Sequence, residues 1–243
     1  MQLKKVIFAE FIGTFIFLFL GCGCVAALKL GHVSYTQVEL SLVWGLAVMI
    51  GVYIANPISG AHLNPAVSIA LALFGNFPKN RLLPYIVAQF LGAFFAAAAV
   101  YFLYQQFFLQ KDLSNAGIFA TYPAANLSFA QAFLTELSIT AVLLGVIFSI
   151  TDPQYKVCSP GMVPFIVGLT VTTLGGAFGN LTGFAMNPAR DFGPRFFTYC
   201  CGWGADVFTA HFSIPYCLIP IVAPILGGIL GAFIYKALRT NAV

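Results

Sequence analysis

The chain has 243 residues, of which 60% are hydrophobic and only 7% charged. Soluble domains carry about 25% charged residues, so this chain cannot clothe a water-facing surface and reads as an integral membrane protein. Its formal charge of +4 comes from scattered basic residues, which leaves no footprint for nucleic acid.

The first apolar run, Val6–Leu28, has the roughly 20 residues of a full membrane helix. It is longer than a signal-peptide core and lacks a cleavage site, so it is expected to be the first transmembrane helix. Five further long apolar runs follow at Leu40–Pro57, Leu82–Tyr104, Ala130–Ile150, Met162–Phe178 and Ile214–Leu238. None alternates as a barrel strand would, and helices satisfy their own backbone in lipid. Two shorter segments each open at an Asn-Pro: Asn64 to about Phe74, and Asn187 to about Tyr199. At about 1.5 Å per residue they are too short to span the bilayer, and are expected to be re-entrant half-helices.

Basic residues suggest an orientation. With both termini cytoplasmic, Lys4, Lys5, Lys79, Arg81, Lys156, Lys236 and Arg239 fall inside, and Lys29, Lys111 and Arg195 outside, which fits the positive-inside rule. Short loops and the lack of sorting signals point to a bacterial inner membrane. The six cysteines, Cys22, Cys24, Cys158, Cys200, Cys201 and Cys217, show no metal-type CxxC spacing and read as buried or incidental thiols. No metal and no cofactor is expected.

The chain repeats itself. Asn64-Pro65-Ala66 recurs as Asn187-Pro188-Ala189, an offset of 123 residues, and "SGAHLNPA" parallels "TGFAMNPA". Glu10 in the first helix recurs as Glu136 in the fourth, an offset of 126 residues. Each half therefore holds three spanning helices and one half-helix. An odd number of spans inverts the second half, giving inverted repeats over about residues 1–110 and 126–243 within one membrane domain. In such folds the site lies near the bilayer midplane between the repeats. The fold class is thus all-α, with six transmembrane helices and two half-helices.

Asn is a strong N-cap and Pro is favoured at the first helical position, so Asn64 and Asn187 each cap a half-helix. Inversion brings the two N-termini face to face, each with about half a positive charge. Cations are repelled there. The Asn oxygens cap the helices, which leaves two NH₂ groups as donors into a lumen. The unwound stretches ahead of the caps are Gly60-Ala61-His62-Leu63 and Gly183-Phe184-Ala185-Met186. Their carbonyls cannot face lipid but can line a water-filled path as a ladder of acceptors.

These paired boxes resemble those of the major intrinsic protein family, the aquaporins and aquaglyceroporins. The resemblance runs from Glu10 to the last helix and is nearest to the bacterial glycerol facilitators, through the text around Trp44, "SGAHLNPAVSIAL" and "TGFAMNPARDFGP". It implies a passive channel for glycerol, other polyols and some water, lying in a lipid bilayer as a homotetramer. It also implies a constriction formed by Trp44, Phe184, Arg190 and a fourth position at Gly175, or at Gly176 if the register lies one residue further on. Trp44 and Phe184 would face the carbons of a polyol, Arg190 would donate to its hydroxyls, and the small glycine would leave room for a solute wider than water. Asp191, Arg195 and the pair Pro220-Ile221 are further marks of the glycerol-type branch. Asp191 is expected to pair or cap locally. The stretch Lys111–Ala125 looks shorter than in bacterial glycerol facilitators, which bears on the outer vestibule.

Other functions fit the residues less well. A water-selective aquaporin would carry a His at the fourth position and a small residue in place of Phe184. A secondary transporter needs a coupling site, but Glu10 and Glu136 are placed symmetrically to brace the unwound loops, since buried polar groups must be satisfied. An intramembrane serine protease needs a Ser with a His base. His62, the lone His of the apolar zone, has no such partner, and reads as a loop residue with a hydrogen-bonded ring. Gly227, Gly228 and Gly231 read as helix-packing positions.

Overall fold

A computed structural model of the chain describes residues 2–240. The helices in chain order are α1 (Leu3–Leu30), α2 (Gln37–Ser59), α3 (Pro65–Phe74), α4 (Leu82–Tyr104), α5 (Leu113–Ala116), α6 (Phe129–Ile150), α7 (Val163–Thr182), α8 (Pro188–Cys200) and α9 (Ile219–Thr240). Six of the segments, containing α1, α2, α4, α6, α7 and α9, are long and apolar enough to cross a membrane. Large apolar side chains such as Phe8, Leu83, Phe102 and Leu238 stand exposed on their outer faces.

Several boundaries differ from the apolar runs for local reasons. Helix α2 starts at Gln37, before Leu40, because Thr36 and Glu39 form a reciprocal capping box that satisfies first-turn donors. Helix α7 runs on past Phe178 until Gly183 takes a left-handed φ of 80°. The last spanning helix starts at Ile219, later than Ile214, after Pro215 and a 3-10 turn at Tyr216–Leu218. Helix α5, capped by the Asp112 side chain, was not foreseen in the connecting stretch.

The packing is two-fold in pattern. Helix α1 packs on α2 and α4, as α6 packs on α7 and α9. The half-helices cross over, with α3 against α9 and α8 against α4, while α2 and α7 join the halves. This is the inverted-repeat arrangement. Glycines permit the closest approaches. A Cβ on Gly92 would lie 2.5 Å from the Phe11 carbonyl of α1, and one on Gly231 would lie 2.1 Å from the Ala141 carbonyl of α6.

Candidate functional site

The site is built from the two unwound loops, which share one backbone pattern. Gly60, Ala61 and Leu63 have φ of 86°, 47° and 50°, and Gly183, Phe184 and Met186 have φ of 80°, 42° and 50°. Only the glycines adopt such angles freely. Each non-glycine residue held there costs of order 1–3 kcal/mol and persists only when its surroundings over-determine it.

Two buried carboxylates supply that constraint. Glu10 Oε1 accepts from Ser59 Oγ (2.6 Å) and the His62 N–H (2.9 Å), and its Oε2 accepts from the Leu63 N–H (2.7 Å) and Gln89 Nε2 (2.8 Å). Glu136 Oε1 accepts from Thr182 Oγ1 (2.6 Å) and the Ala185 N–H (2.9 Å), and its Oε2 accepts from the Met186 N–H (2.8 Å). Tyr85 and Tyr216 complete the parallel by donating to the carbonyls of Ser59 and Thr182. Ser59 and Thr182 stand at the same 123-residue offset as the NPA boxes, so this part of the brace was legible. Gln89 has no polar counterpart in α9 and gave no such signal.

Each Asn caps its half-helix: Asn64 Oδ1 accepts from the Ala66 N–H, and Asn187 Oδ1 from those of Ala189 and Arg190. Pro65 and Pro188 occupy the first turns and are buried, as are Ala66 and Ala189. The amides are less free than expected. Asn64 Nδ2 donates to the Met186 carbonyl and Asn187 Nδ2 to the Leu63 carbonyl, both at 2.8 Å. One N–H of each amide therefore ties the two halves together. One further N–H on each amide, and a second lone pair on each carbonyl, is left for a solute.

The His62 ring packs onto α3, with Nδ1 3.0 Å from Ser68 Oγ. Its ring centroid is 4.5 Å from that of Phe77 and 5.0 Å from that of Tyr85. Among the described residues no group of three or more potential metal ligands occurs.

Two cavities flank the loops. The first, about 210 Å³, is bordered by Gly60, Ala61, His62, Leu63, Asn64, Phe184, Ala185, Met186 and Asn187, together with apolar side chains such as Val52, Val67 and Leu143. The second, about 490 Å³, is bordered by Gly183, Thr121, Tyr122, Gln37 and Lys29 among others. The residues they have in common are Trp44, Phe184 and Arg190. At that neck the Trp44 and Phe184 rings meet edge to face, with centroids 6.3 Å apart. The Arg190 guanidinium carbon lies 4.0 Å from the Trp44 ring centroid, within cation–π range. Arg190 also donates from Nη1 to the Phe119 carbonyl at 3.1 Å, and its other guanidinium donors make no hydrogen bond among the described residues.

Gly175 has a different place from the one expected. It borders neither cavity. A Cβ there would lie 2.7 Å from Phe184 Cε2 and 2.8 Å from Ser41 Oγ, so its missing side chain makes room for the Phe184 ring rather than directly for a solute. Gly176 meets little beyond a Val38 methyl at 4.0 Å.

Arg195 is fully buried, as is Asp191, and the two form a salt bridge with Nε–Oδ1 at 2.8 Å. Asp191 Oδ2 also accepts from the N–H and the hydroxyl of Thr121, while Arg195 donates to the carbonyls of Thr121 and Val207. The pair thus grips the loops at Thr121 and Val207, including the stretch that presents the Phe119 carbonyl to Arg190. Phe119 and Thr121 were missed in the sequence because single loop carbonyls carry no residue-type signal.

The sequence profile described as "Major intrinsic protein" matches residues 1–235. A glycerol uptake facilitator protein of Haemophilus influenzae is 47% identical over 247 residues, covering 97% of this chain and 94% of the relative. A propanediol uptake facilitator of Salmonella typhimurium is 46% identical, covering 97% and 94%. The X-ray structure of the aquaglyceroporin from Plasmodium falciparum superposes with a TM-score of 0.89 at 35% identity, covering 99% of this chain and 98% of that one.

Proposed function

The chain belongs to the major intrinsic protein family, and we propose that it is a passive membrane channel for glycerol and related small uncharged solutes. It also carries some water and excludes ions and protons. It is an integral membrane protein, a channel and not an enzyme.

The observation that carries this reading is the neck shared by the two cavities, with aromatic walls at Trp44 and Phe184 and a donor wall at Arg190. A polyol has carbons along one edge and hydroxyls along the other. The aromatic faces shed water from the carbons, Arg190 donates to the hydroxyls, and the loop carbonyls accept from them. A water-selective neck would gain nothing from two aromatic walls. The names of its relatives, uptake facilitators for glycerol and propanediol, fit this solute class.

Cation exclusion follows from the same parts. The two half-helix N-termini each present about half a positive charge, and Arg190 adds a fixed cation near the neck. Glu10 and Glu136 brace the loops and are not a proton relay, because both oxygens of each face donors. The inverted repeats, over about residues 1–110 and 126–243, form one channel domain. The assembly is a homotetramer with a pore in each subunit, set in a bacterial inner membrane with both termini cytoplasmic.

The test is radiolabelled glycerol uptake into proteoliposomes, with and without an imposed proton or sodium gradient. Entry should be fast and stop when the internal and external concentrations are equal, whatever the gradient. Accumulation above the external concentration would make the protein a coupled transporter instead.

A further inference from the structure

The width of the neck depends on what stands behind its walls as well as on the walls. Trp44 projects from α2 with its six-membered ring against α1. Gly21 of α1 is buried, and a Cβ built on it would lie 2.4 Å from Trp44 Cζ3, 2.5 Å from Cε3 and 2.6 Å from Cη2. Real Cβ atoms essentially never come within 3.0 Å of such neighbours. The ring therefore rests directly on the α1 backbone. Its other side faces the lumen, where Arg190 stacks at 4.0 Å and Phe184 meets it edge to face.

From this geometry we infer that Gly21 is a positioning residue for solute size, setting how far Trp44 stands out into the neck. This rests on the glycerol-channel reading and deepens it. A methyl at position 21 would require the ring to move about 1 Å to reach ordinary contact at 3.4 Å. Helix α1 cannot retreat easily, because it is packed against both α2 and α4, and overpacked cores shift side chains toward open space. The open space here is the lumen. A neck narrowed on its apolar side still passes water in single file but hinders the carbon edge of a polyol.

Gly23 supplies an internal control. It lies two residues further along the same helix, and a Cβ there meets nothing within 4 Å. Any general effect of Gly-to-Ala substitution on α1 should appear at both positions, and an effect transmitted through Trp44 only at Gly21.

The experiment measures glycerol and water permeability on the same proteoliposomes for wild type, Gly21→Ala, Gly23→Ala, Trp44→Phe and the double variant Gly21→Ala/Trp44→Phe. Gly21→Ala should lower the glycerol-to-water permeability ratio about tenfold, the effect of a small added barrier. Gly23→Ala should match wild type. The double variant should recover the ratio of Trp44→Phe alone, because the smaller ring vacates the space the methyl needs. Should Gly21→Ala fail to yield folded protein, folding of the double variant would place the clash at Trp44, and its failure would overturn the inference. An unchanged ratio in Gly21→Ala, or a parallel fall of both permeabilities, would also overturn it while leaving the channel reading intact. A wild-type chain that passes water but no glycerol would overturn both.

Discussion

Glu136 offers the sharpest test of how the site is held. Its carboxylate is fully buried and accepts three hydrogen bonds, two of them from the Ala185 and Met186 N–H groups. Glu136→Ala orphans both, at about 1–3 kcal/mol per unsatisfied buried group. It also frees Phe184 and Met186, whose φ of 42° and 50° stores of order 1–3 kcal/mol each, to relax away from the lumen. The total, roughly 2–6 kcal/mol from the orphaned groups alone, is a large share of a typical folding free energy. Glu136→Gln is milder. Its remaining oxygen can serve Thr182 and Ala185, and only the Met186 N–H loses its acceptor, at about 1.5–3 kcal/mol for a bond to a charged group. The assay is thermal unfolding in detergent, followed by size-exclusion chromatography, beside glycerol permeability per unit of folded protein. The order wild type, Gln, Ala should hold in both. Wild-type stability and permeability in Glu136→Ala would refute the idea that this carboxylate braces the loop.

Four further outcomes are expected. Trp44→Ala should raise water flow and admit larger polyols, measured by swelling in a series of sugar alcohols; unchanged rates would remove Trp44 from the filter. Arg190→Val should raise proton leak, read with a trapped pH dye, because it removes one full charge while the helix N-termini together keep about one; an unchanged leak would leave the barrier to the helix ends alone. Asp191→Asn should cost about 3–5 kcal/mol by leaving the buried Arg195 without its counter-ion, seen as a lower unfolding temperature; a neutral result would mean that the loop carbonyls suffice for Arg195. On the face where α6 ends, the Gln154 N–H, the Tyr235 hydroxyl and Arg239 hold the Asp152 carboxyl below its ordinary value of 3.8. A depressed carboxyl stabilises the fold above its unfolded value and loses that contribution as pH falls through the folded one. Wild type should therefore lose more stability than Asp152→Asn on acidification below about pH 4, and equal losses would discount the link.

Much of the scaffold was legible because its causes are local or periodic. Six apolar runs, two Asn-Pro caps and the paired Glu10 and Glu136 are each visible as residue types at set spacings. Helix ends were less so: the Thr36–Glu39 capping box starts α2 in a stretch that is not apolar. At the site, Trp44, Phe184 and Arg190 come together at one neck, but the place of Gly175 depends on where another residue's ring lies, which no spacing encodes. The burial of Arg195 likewise carries no residue-type signal beyond its neighbour at Asp191, one helical turn away. The crossed amides of Asn64 and Asn187 depend on the meeting of two loops that the chain separates by 123 residues.

The central claim is that this chain is a polyol-passing channel, and light scattering from proteoliposomes after a glycerol jump tests it most directly, beside an equal jump in an impermeant sugar. The vesicles should shrink in both, then reswell quickly in glycerol and stay shrunken in the sugar. Shrinkage quickened by water flow, with no faster reswelling in glycerol than in protein-free vesicles, would contradict the account and make the protein a water channel with a misread neck.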